Sequence, residues 1–280
     1  MWGIVASFEQ RADGDAELTA TWERAVDRLT VRRGAPAPLV RTVLANALSI
    51  VSFGEVTDIE FLAQLVAQLG GRQVAEFQDQ ALVSVEGEDR ELTTALARAL
   101  GERAWGLQGG AAGTLDLRER PDLVAVCAEA VTWLMTVGDA AAQVPAITDL
   151  DALLAVFRDG GVLEWRALTG ATRAEPWSGI IDKHLAMLDP EVHVAEARSL
   201  QAVSEMIRRI VEDDERAAIA AHIRNAIAET GLTQREFAAL VGTSSSRLST
   251  YVTGSVTPSA AMLLRINRAA RRARRGGAGD

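Results

Sequence analysis

The stretch "LTQREFAALVGTSSSRLSTYVTG", residues 232–254, predicts two short helices joined by a tight turn. Thr233 is followed three residues later by Glu236, a spacing that is typical of a capping box at the start of a helix. We therefore expect a helix over residues 234–241. Gly242 follows this helix and can adopt a positive φ without a steric penalty, so the turn is expected to begin there.

A second helix is predicted directly after the turn, over residues 244–252. Ser244 is a favourable N-cap residue, and Leu248 and Tyr251 lie on one side of the helix at helical spacing. An amphipathic helix is also predicted before the stretch, over residues 216–229. The end of the chain therefore has the pattern of a small helical module.

The chain is divided electrostatically. Residues 216–280 carry ten arginines against three carboxylates, a net charge of +7, whereas residues 1–215 carry 19 basic and 35 acidic side chains, a net charge of −16. The overall charge of −9 therefore hides a basic C-terminal module. Such a module predicts contact with a polyanion, while the acidic remainder repels that polyanion and limits nonspecific adhesion.

Several features of the basic module occur together in one family of DNA-binding domains. They are "LTQREFA", Ala238, Gly242, Leu248, Tyr251, the "TG" at 253–254, the "TPS" at 257–259 and a closing helix with Met262, Leu263, Leu264 and Ile266. By these features, residues 223–269 resemble the Cro-type phage-repressor helix-turn-helix family, often called Xre-like. The resemblance implies a compact five-helix domain whose third helix lies in the major groove while the second crosses the DNA backbone.

The resemblance also assigns DNA contacts to individual residues. Those implied to face base edges are Ser245, Ser246, Arg247, Ser249 and Thr250. Those implied to contact phosphates are Thr233, Gln234, Ser244 and Thr253. Arg247 is placed to reach either a phosphate or a guanine, and arginine pairing with guanine O6 and N7 discriminates between bases by ~1–3 kcal/mol.

The hydroxyl-rich helix departs from many relatives, which use glutamine, arginine or asparagine at these positions. Serine and threonine hydroxyls both donate and accept hydrogen bonds, so they pair with almost any base edge. Direct discrimination by one module is therefore expected to be modest. Specificity would then come from Arg247, from DNA shape, from water-mediated contacts, or from two modules that read two half-sites.

The C-terminal tail "RINRAARRARRGGAGD" carries six arginines between residues 265 and 275. As a helix it places four of them on one broad face: Arg268, Arg271, Arg272 and Arg275. A basic face beside a helix-turn-helix predicts contact with phosphates or with the minor groove. The alternative is a solvated end without a target.

The body, which we define as residues 1–212, has a helical pattern and places the chain in the all-α fold class. Apolar residues recur at three- and four-residue spacing in the segments 18–31, 38–53, 58–69, 91–105, 121–137 and 150–157. Only residues 1–8 and 81–86 have a pattern compatible with extended structure, and either segment is equally compatible with the edge of a helix. The predicted divisions are 1–106 and 121–212 for the two halves of the body, 107–120 for a linker or loop, 216–272 for the helix-turn-helix domain and 273–280 for a disordered tail.

A long amphipathic helix is predicted to end the body, with an apolar face over residues 199–211. The partner of this face is either the core of the body or the same helix of a second subunit. The acidic run "EDDE" at 212–215 interrupts the face and predicts a domain boundary or an exposed bend. All six tryptophans lie in the body, and most are expected to be core anchors, with one or two lining a ligand pocket or a subunit interface.

No catalytic, cofactor or metal site is predicted in the body. Cys127 is the single cysteine and lies in an apolar run, which favours a small buried side chain over a nucleophile. His184 and His193 do not have the spacing of a known metal-binding motif. The glycine-rich residues 106–113 match neither a P-loop nor a dinucleotide-binding fingerprint. We therefore do not expect an enzyme.

These features predict a cytoplasmic, sequence-specific DNA-binding protein, namely a bacterial or phage transcriptional regulator such as a repressor. It is expected to bind double-stranded DNA as a homodimer formed through the body or the 199–211 helix. A protein partner or a small-molecule effector is expected to act on the body. The N-terminal residues lack a basic n-region, and no apolar stretch is long enough for a bilayer span, so neither a secretory signal nor a membrane anchor is expected.

Two alternative functions follow from the same pattern. In the first, the chain is an antitoxin-like or phage-defence component whose body binds a partner protein, while the helix-turn-helix serves autoregulation. In the second, the body is an enzyme that the module targets to DNA.

Overall fold

The computed structural model describes residues 2–31, 37–86, 90–107, 117, 119–141 and 143–276. Within these ranges the chain forms fourteen α-helices and no strand, which confirms the predicted all-α fold class. Chain contacts divide it into two compact units, Met1–Ile207 and Arg208–Asp280. The helices are α1 (Trp2–Ala12), α2 (Ala16–Val31), α3 (Ala37–Ser52), α4 (Val56–Leu69), α5 (Gly71–Val83), α6 (Glu91–Trp105), α7 (Pro121–Leu134), α8 (Leu150–Arg158), α9 (Val162–Ala174), α10 (Ile180–Leu185), α11 (Val194–Ala228), α12 (Gln234–Val241), α13 (Ser245–Thr253) and α14 (Ala260–Gly276).

The helix α3 is the centre of the N-terminal unit. Its sequence is apolar around most of its circumference, and Val43, Leu44, Ala47 and Leu48 are all buried. A helix that is apolar on all sides must be covered on all sides. Accordingly, α1, α2, α4, α5 and α6 all pack against it. Among the described residues, no helix is both long and apolar enough to cross a membrane.

The two segments with a strand-like pattern are not extended, and the helical alternative that the sequence left open holds for residues 2–8 and 81–83. Residues 2–8 belong to α1, whose Ile4, Phe8 and Ala12 are buried at four-residue spacing. Residues 81–83 end α5, and a turn follows. In both places a short apolar run was compatible with either period, and packing against α3 selects the helix.

Three helices of the N-terminal unit lie where the sequence predicted none: α5, α9 and α10. The helix α5 begins at Gly71, a poor helix former. Its close approach to α7 explains the glycine, because a Cβ at residue 71 would lie 2.4 Å from Glu129 Oε1 and 2.7 Å from Trp133 Cδ1. Tertiary packing therefore overrides the local preference here.

The helix α11 runs without a break from Val194 to Ala228. It passes through the acidic residues 212–215, where a boundary or bend was predicted. The four acidic side chains are exposed to solvent, so their charges need no burial. Asp213 also forms an ion pair with Arg216 at 3.0 Å, and a pair at this spacing stabilises a helix. The division by contacts falls between residues 207 and 208, inside the same helix.

The last helix also extends beyond its predicted end. Residues 273–276, assigned from the sequence to a disordered tail, are the final turn of α14. Alanine and arginine are good helix formers, which explains the extension. Residues 277–280 lie outside the described part of the chain.

A buried ion pair joins α1 to α4. Arg11 donates two hydrogen bonds to the Asp58 carboxylate, at 2.6 and 2.9 Å, and the Asp58 side chain is 0% exposed. Asp58 Oδ2 also accepts a hydrogen bond from the backbone N–H of Glu55, the N-cap residue of α4. The Asp58 carboxylate therefore stabilises the start of α4 and links α4 to α1.

We expect Asp58→Ala to lower the free energy of unfolding by roughly 1–3 kcal/mol, because the hydrogen bonds that the buried carboxylate accepts from Arg11 and from the Glu55 N–H are lost. Urea denaturation followed by tryptophan fluorescence measures this change, since all six tryptophans precede residue 208. Glu76→Ala is the control, because it removes an exposed ion pair with Arg72 and should cost about 0.5 kcal/mol or less. Equal losses in the two variants would contradict the role assigned to Asp58.

Candidate nucleic-acid interface

The C-terminal unit contains its own hydrophobic core. The C-terminal half of α11 contributes Ile223 and Ala226 to it, and α12 contributes Phe237 and Ala238. The remaining buried members are Val241, Leu248, Tyr251, Ile266, Ala269 and Ala270. The described residues of this unit form four helices and not the five that the resemblance implied, because residues 260–276 are one continuous helix. All four helices meet in one core, to which α12 contributes the small Ala238.

The predicted capping box starts α12. The Thr233 hydroxyl accepts a hydrogen bond from the Glu236 N–H at 3.3 Å, and Glu236 Oε2 accepts one from the Thr233 N–H at 2.8 Å. The Thr233 hydroxyl also donates to the same carboxylate oxygen at 2.7 Å. These bonds, the side-chain one most strongly, lower the pKa of Glu236. Gly242 ends the helix with a φ of 75°, as the turn requires.

The helix α13 presents a hydroxyl-rich face. Ser244 is its N-cap and accepts a hydrogen bond from the Arg247 N–H at 3.1 Å. Ser245, Ser246 and Ser249 are exposed, and no hydrogen bond within the described part of the chain involves their hydroxyls. Thr250 is half-buried and donates to the Arg247 carbonyl at 2.8 Å. The three serines are therefore available to an external partner.

Arg247 is held by the side chain one turn further along α13. Its Nε donates to the hydroxyl of Tyr251 at 2.8 Å, and Tyr251 is buried in the core. The arginine itself is exposed. An arginine has five N–H donors, and the bond to Tyr251 uses the one on Nε. The two Nη groups therefore remain as the fork that can bind a bidentate acceptor.

The helix α11 contributes two contacts that position this surface. Arg224 Nη1 donates to the Val252 carbonyl at 2.7 Å, which stabilises the C-terminal end of α13. His222 Nε2 lies 2.7 Å from Asn267 Oδ1 and so connects α11 to α14. The contacts of Arg224 and of the Tyr251 hydroxyl were not predicted from the sequence. The four-residue spacing between Arg247 and Tyr251 was a signal for the hydrogen bond between these two side chains. Nothing in the sequence indicated the bond from Arg224 to the Val252 carbonyl.

Comparison with known protein families matches residues 223–271 to the helix-turn-helix family HTH_3. Residues 223–271 are an Xre-like helix-turn-helix. This match confirms the resemblance inferred from the sequence and supports DNA binding by this part of the chain. No curated protein and no solved structure matches the chain.

The predicted phosphate contacts lie on α12, α13 and α14 and at the N-caps of α12 and α13. Gln234 is half-buried at the start of α12, and Thr253 is exposed at the end of α13, where its hydroxyl lies 3.1 Å from the Ser249 carbonyl. Arg268, Arg271 and Arg272 are exposed on α14. The side chain of Arg275 lies outside the described residues. Thr233 and Ser244 are exposed but serve as helix caps.

The histidines of the body do not form a site with the acidic residues near them. His184 is buried in α10, and burial lowers its pKa. His193 Nδ1 accepts a hydrogen bond from the Asp189 N–H at 3.0 Å. Among the described residues, no group of three histidine, cysteine or acidic side chains is arranged to hold a metal ion. Cys127 is buried, and desolvation raises its pKa to about 12, which disfavours a thiolate nucleophile.

We expect Ser244→Ala to destabilise α13 by ~1 kcal/mol, because it removes the N-cap acceptor. Amide hydrogen exchange of residues 245–252 in the full chain, read by mass spectrometry, should become about fivefold faster. Ser245→Ala is the matched control, since the Ser245 hydroxyl makes no bond within the described residues. If both substitutions accelerated exchange equally, the capping role of Ser244 would be wrong.

Proposed function

We propose that the protein is a sequence-specific transcriptional regulator that binds its operator through α13. The observation that supports this most directly is the composition of the exposed face of α13, where one oriented arginine lies among serines whose hydroxyls are not used by the fold. This face is polar and belongs to a helix-turn-helix, and its Arg247 forms no ion pair with a carboxylate among the described residues.

Arg247 is the principal base-reading residue in this proposal. With Nε bound to the Tyr251 hydroxyl, the guanidinium has one fixed edge, and its Nη groups bind O6 and N7 of a guanine. Ser245, Ser246 and Ser249 accept or donate to neighbouring base edges and phosphates. The serines add affinity over many sequences, and the arginine adds the preference for one base pair.

One such module discriminates weakly, so the proposal includes a homodimer that reads two half-sites about one helical turn, roughly 34 Å, apart. The body supplies the subunit contacts and responds to an effector or a protein partner. Regulation follows from occupancy: the bound protein either blocks or recruits the transcription machinery at the operator. The body is acidic and therefore repels the DNA phosphates, which disfavours nonspecific binding away from the operator.

Binding-site selection from randomised duplex DNA is the primary experiment, and we expect it to return a site with at least one strongly preferred G·C pair. Arg247→Ala should abolish that preference, because the bidentate donor is lost. Tyr251→Phe should weaken the same preference while leaving the fold intact, because it removes the hydroxyl that orients Arg247 and keeps the ring in the core.

The double variant Arg247→Ala/Tyr251→Phe should lose no more selectivity than Arg247→Ala alone, because the tyrosine hydroxyl acts through the arginine. Thermal unfolding of each variant checks that the core is retained. A selection that returns no preferred sequence, or a preference that survives Arg247→Ala, would refute the proposal.

The arginines of α14 generate a second expected outcome. Arg271→Ala and Arg272→Ala should weaken binding to all sequences alike, because phosphate contacts carry no base information. For each arginine that contacts a phosphate, the slope of log K against log salt should decrease by about 0.9. Titration of labelled duplex at several salt concentrations measures it, with Arg72→Ala on α5 as the control. An unchanged slope in both α14 variants would mean that this face does not contact the DNA backbone.

A further inference from the structure

The N-terminal unit contains an apolar cavity of about 50 Å³ between α6, α7, α8, α9, α10 and α11. By a comparable measure a single water needs roughly 10–15 Å³, so the space holds a group of several heavy atoms. Trp105, Phe157 and Trp165 line it together with aliphatic side chains. An apolar cavity of this kind excludes ordered water and favours an apolar ligand group.

One charged side chain lines the same cavity. Arg98 donates to the carbonyl oxygens of Phe157 and Gly160, and its guanidinium lies 5.3 Å from the centre of the Trp165 ring. No carboxylate among the described residues pairs with it, in contrast to the buried Arg166, which is paired with Asp79. The wall of an apolar cavity therefore carries a fixed positive charge without a counter-ion, an arrangement that an anionic ligand would complete.

The other polar groups of the cavity are satisfied within the protein. The Trp165 indole N–H donates to the Val156 carbonyl at 2.9 Å, the Thr169 hydroxyl to the Met135 carbonyl at 2.7 Å, and the Ser199 hydroxyl to the Glu196 carbonyl at 2.8 Å. These three side chains need no ligand, whereas no hydrogen bond of the Trp105 indole N–H is made within the described residues. Arg98 is the charged group that specifies the polar end of what binds, and the aromatic wall specifies its apolar end.

The geometry points to a binding site for a small carboxylate with an aromatic or branched aliphatic group, whose occupancy changes DNA binding. The carboxylate pairs with Arg98, and the apolar group enters the cavity. The second half of the inference, which rests on the proposed function, comes from α11. This helix lines the cavity with Ser199, Leu200 and Val203, and the same unbroken helix supplies Ile223 and Ala226 to the core of the helix-turn-helix.

Benzoate is the probe that tests the binding site, with benzamide as its uncharged counterpart. Quenching of tryptophan fluorescence in the full chain reports binding, because two tryptophans line the cavity. We expect benzoate to bind roughly ten- to a hundredfold more tightly than benzamide, because only the anion makes a charge-assisted bond with Arg98. Arg98→Gln should reduce benzoate binding to the benzamide level, and Arg98→Lys should retain part of the difference.

Two further variants keep the test informative if Arg98→Gln is poorly folded. Ala97→Leu on α6 fills the cavity without touching the charge and should abolish binding of both probes. Arg72→Gln, on the exposed surface of α5, should leave binding unchanged. Circular dichroism confirms the helical content of each variant. Equal binding of benzoate and benzamide, or benzoate binding that survives Ala97→Leu, would overturn the site.

The coupling is tested on the DNA site returned by selection. Saturating benzoate should change DNA affinity in the unmodified chain and not in Arg98→Gln, and DNA should change benzoate affinity by the same factor, because coupling between two sites is reciprocal. Unchanged DNA affinity overturns the coupling. If selection returns no preferred DNA, the proposed function fails, while Arg98-dependent benzoate binding still supports the carboxylate site.

Discussion

The helix α11 supplies buried side chains to both compact units of the chain. Its first half carries Leu200 and Val203, which are buried in the N-terminal unit, and its second half carries Ile223 and Ala226, which are buried in the helix-turn-helix. The helix-turn-helix therefore takes its first helix from an element that begins in the N-terminal unit, at Val194.

The elements that the sequence predicted well are those with a complete local signal. Thr233 and Glu236 define the start of α12, Gly242 defines its end, and Ser244 caps α13, so both helices could be placed from the sequence to within a residue. The all-α fold class followed in the same way from the helical period of six body segments. Local capping and period are properties of neighbouring residues, which is why they can be read without knowing the fold.

What could not be predicted depends on contacts between distant residues. The helix α5 begins at a glycine that permits close packing against α7, and the helical end of the apolar run at residues 81–86 is selected by the packing of α5 against α3. In the candidate site, the base-facing positions on α13 were implied by the resemblance to the helix-turn-helix family. The bond from Arg224 to the Val252 carbonyl joins residues 28 positions apart, and no spacing rule indicates it. The boundary or bend predicted at residues 212–215 is absent because a run of exposed acidic residues interrupts the apolar face without interrupting the helix.

On α13, the residues that hold the helix in place differ from the residues that are exposed, and this separation has an evolutionary consequence. Leu248 and Tyr251 hold the helix in the core and Ser244 caps it, whereas Ser245, Ser246 and Ser249 make no side-chain bonds within the described residues. Exchanging one of these serines for an amide or a guanidinium changes the donors offered to a base pair and leaves the packing untouched. Under the proposed function, the operator preference can therefore diverge by single substitutions at these serines at little cost in stability, while Arg247 is retained.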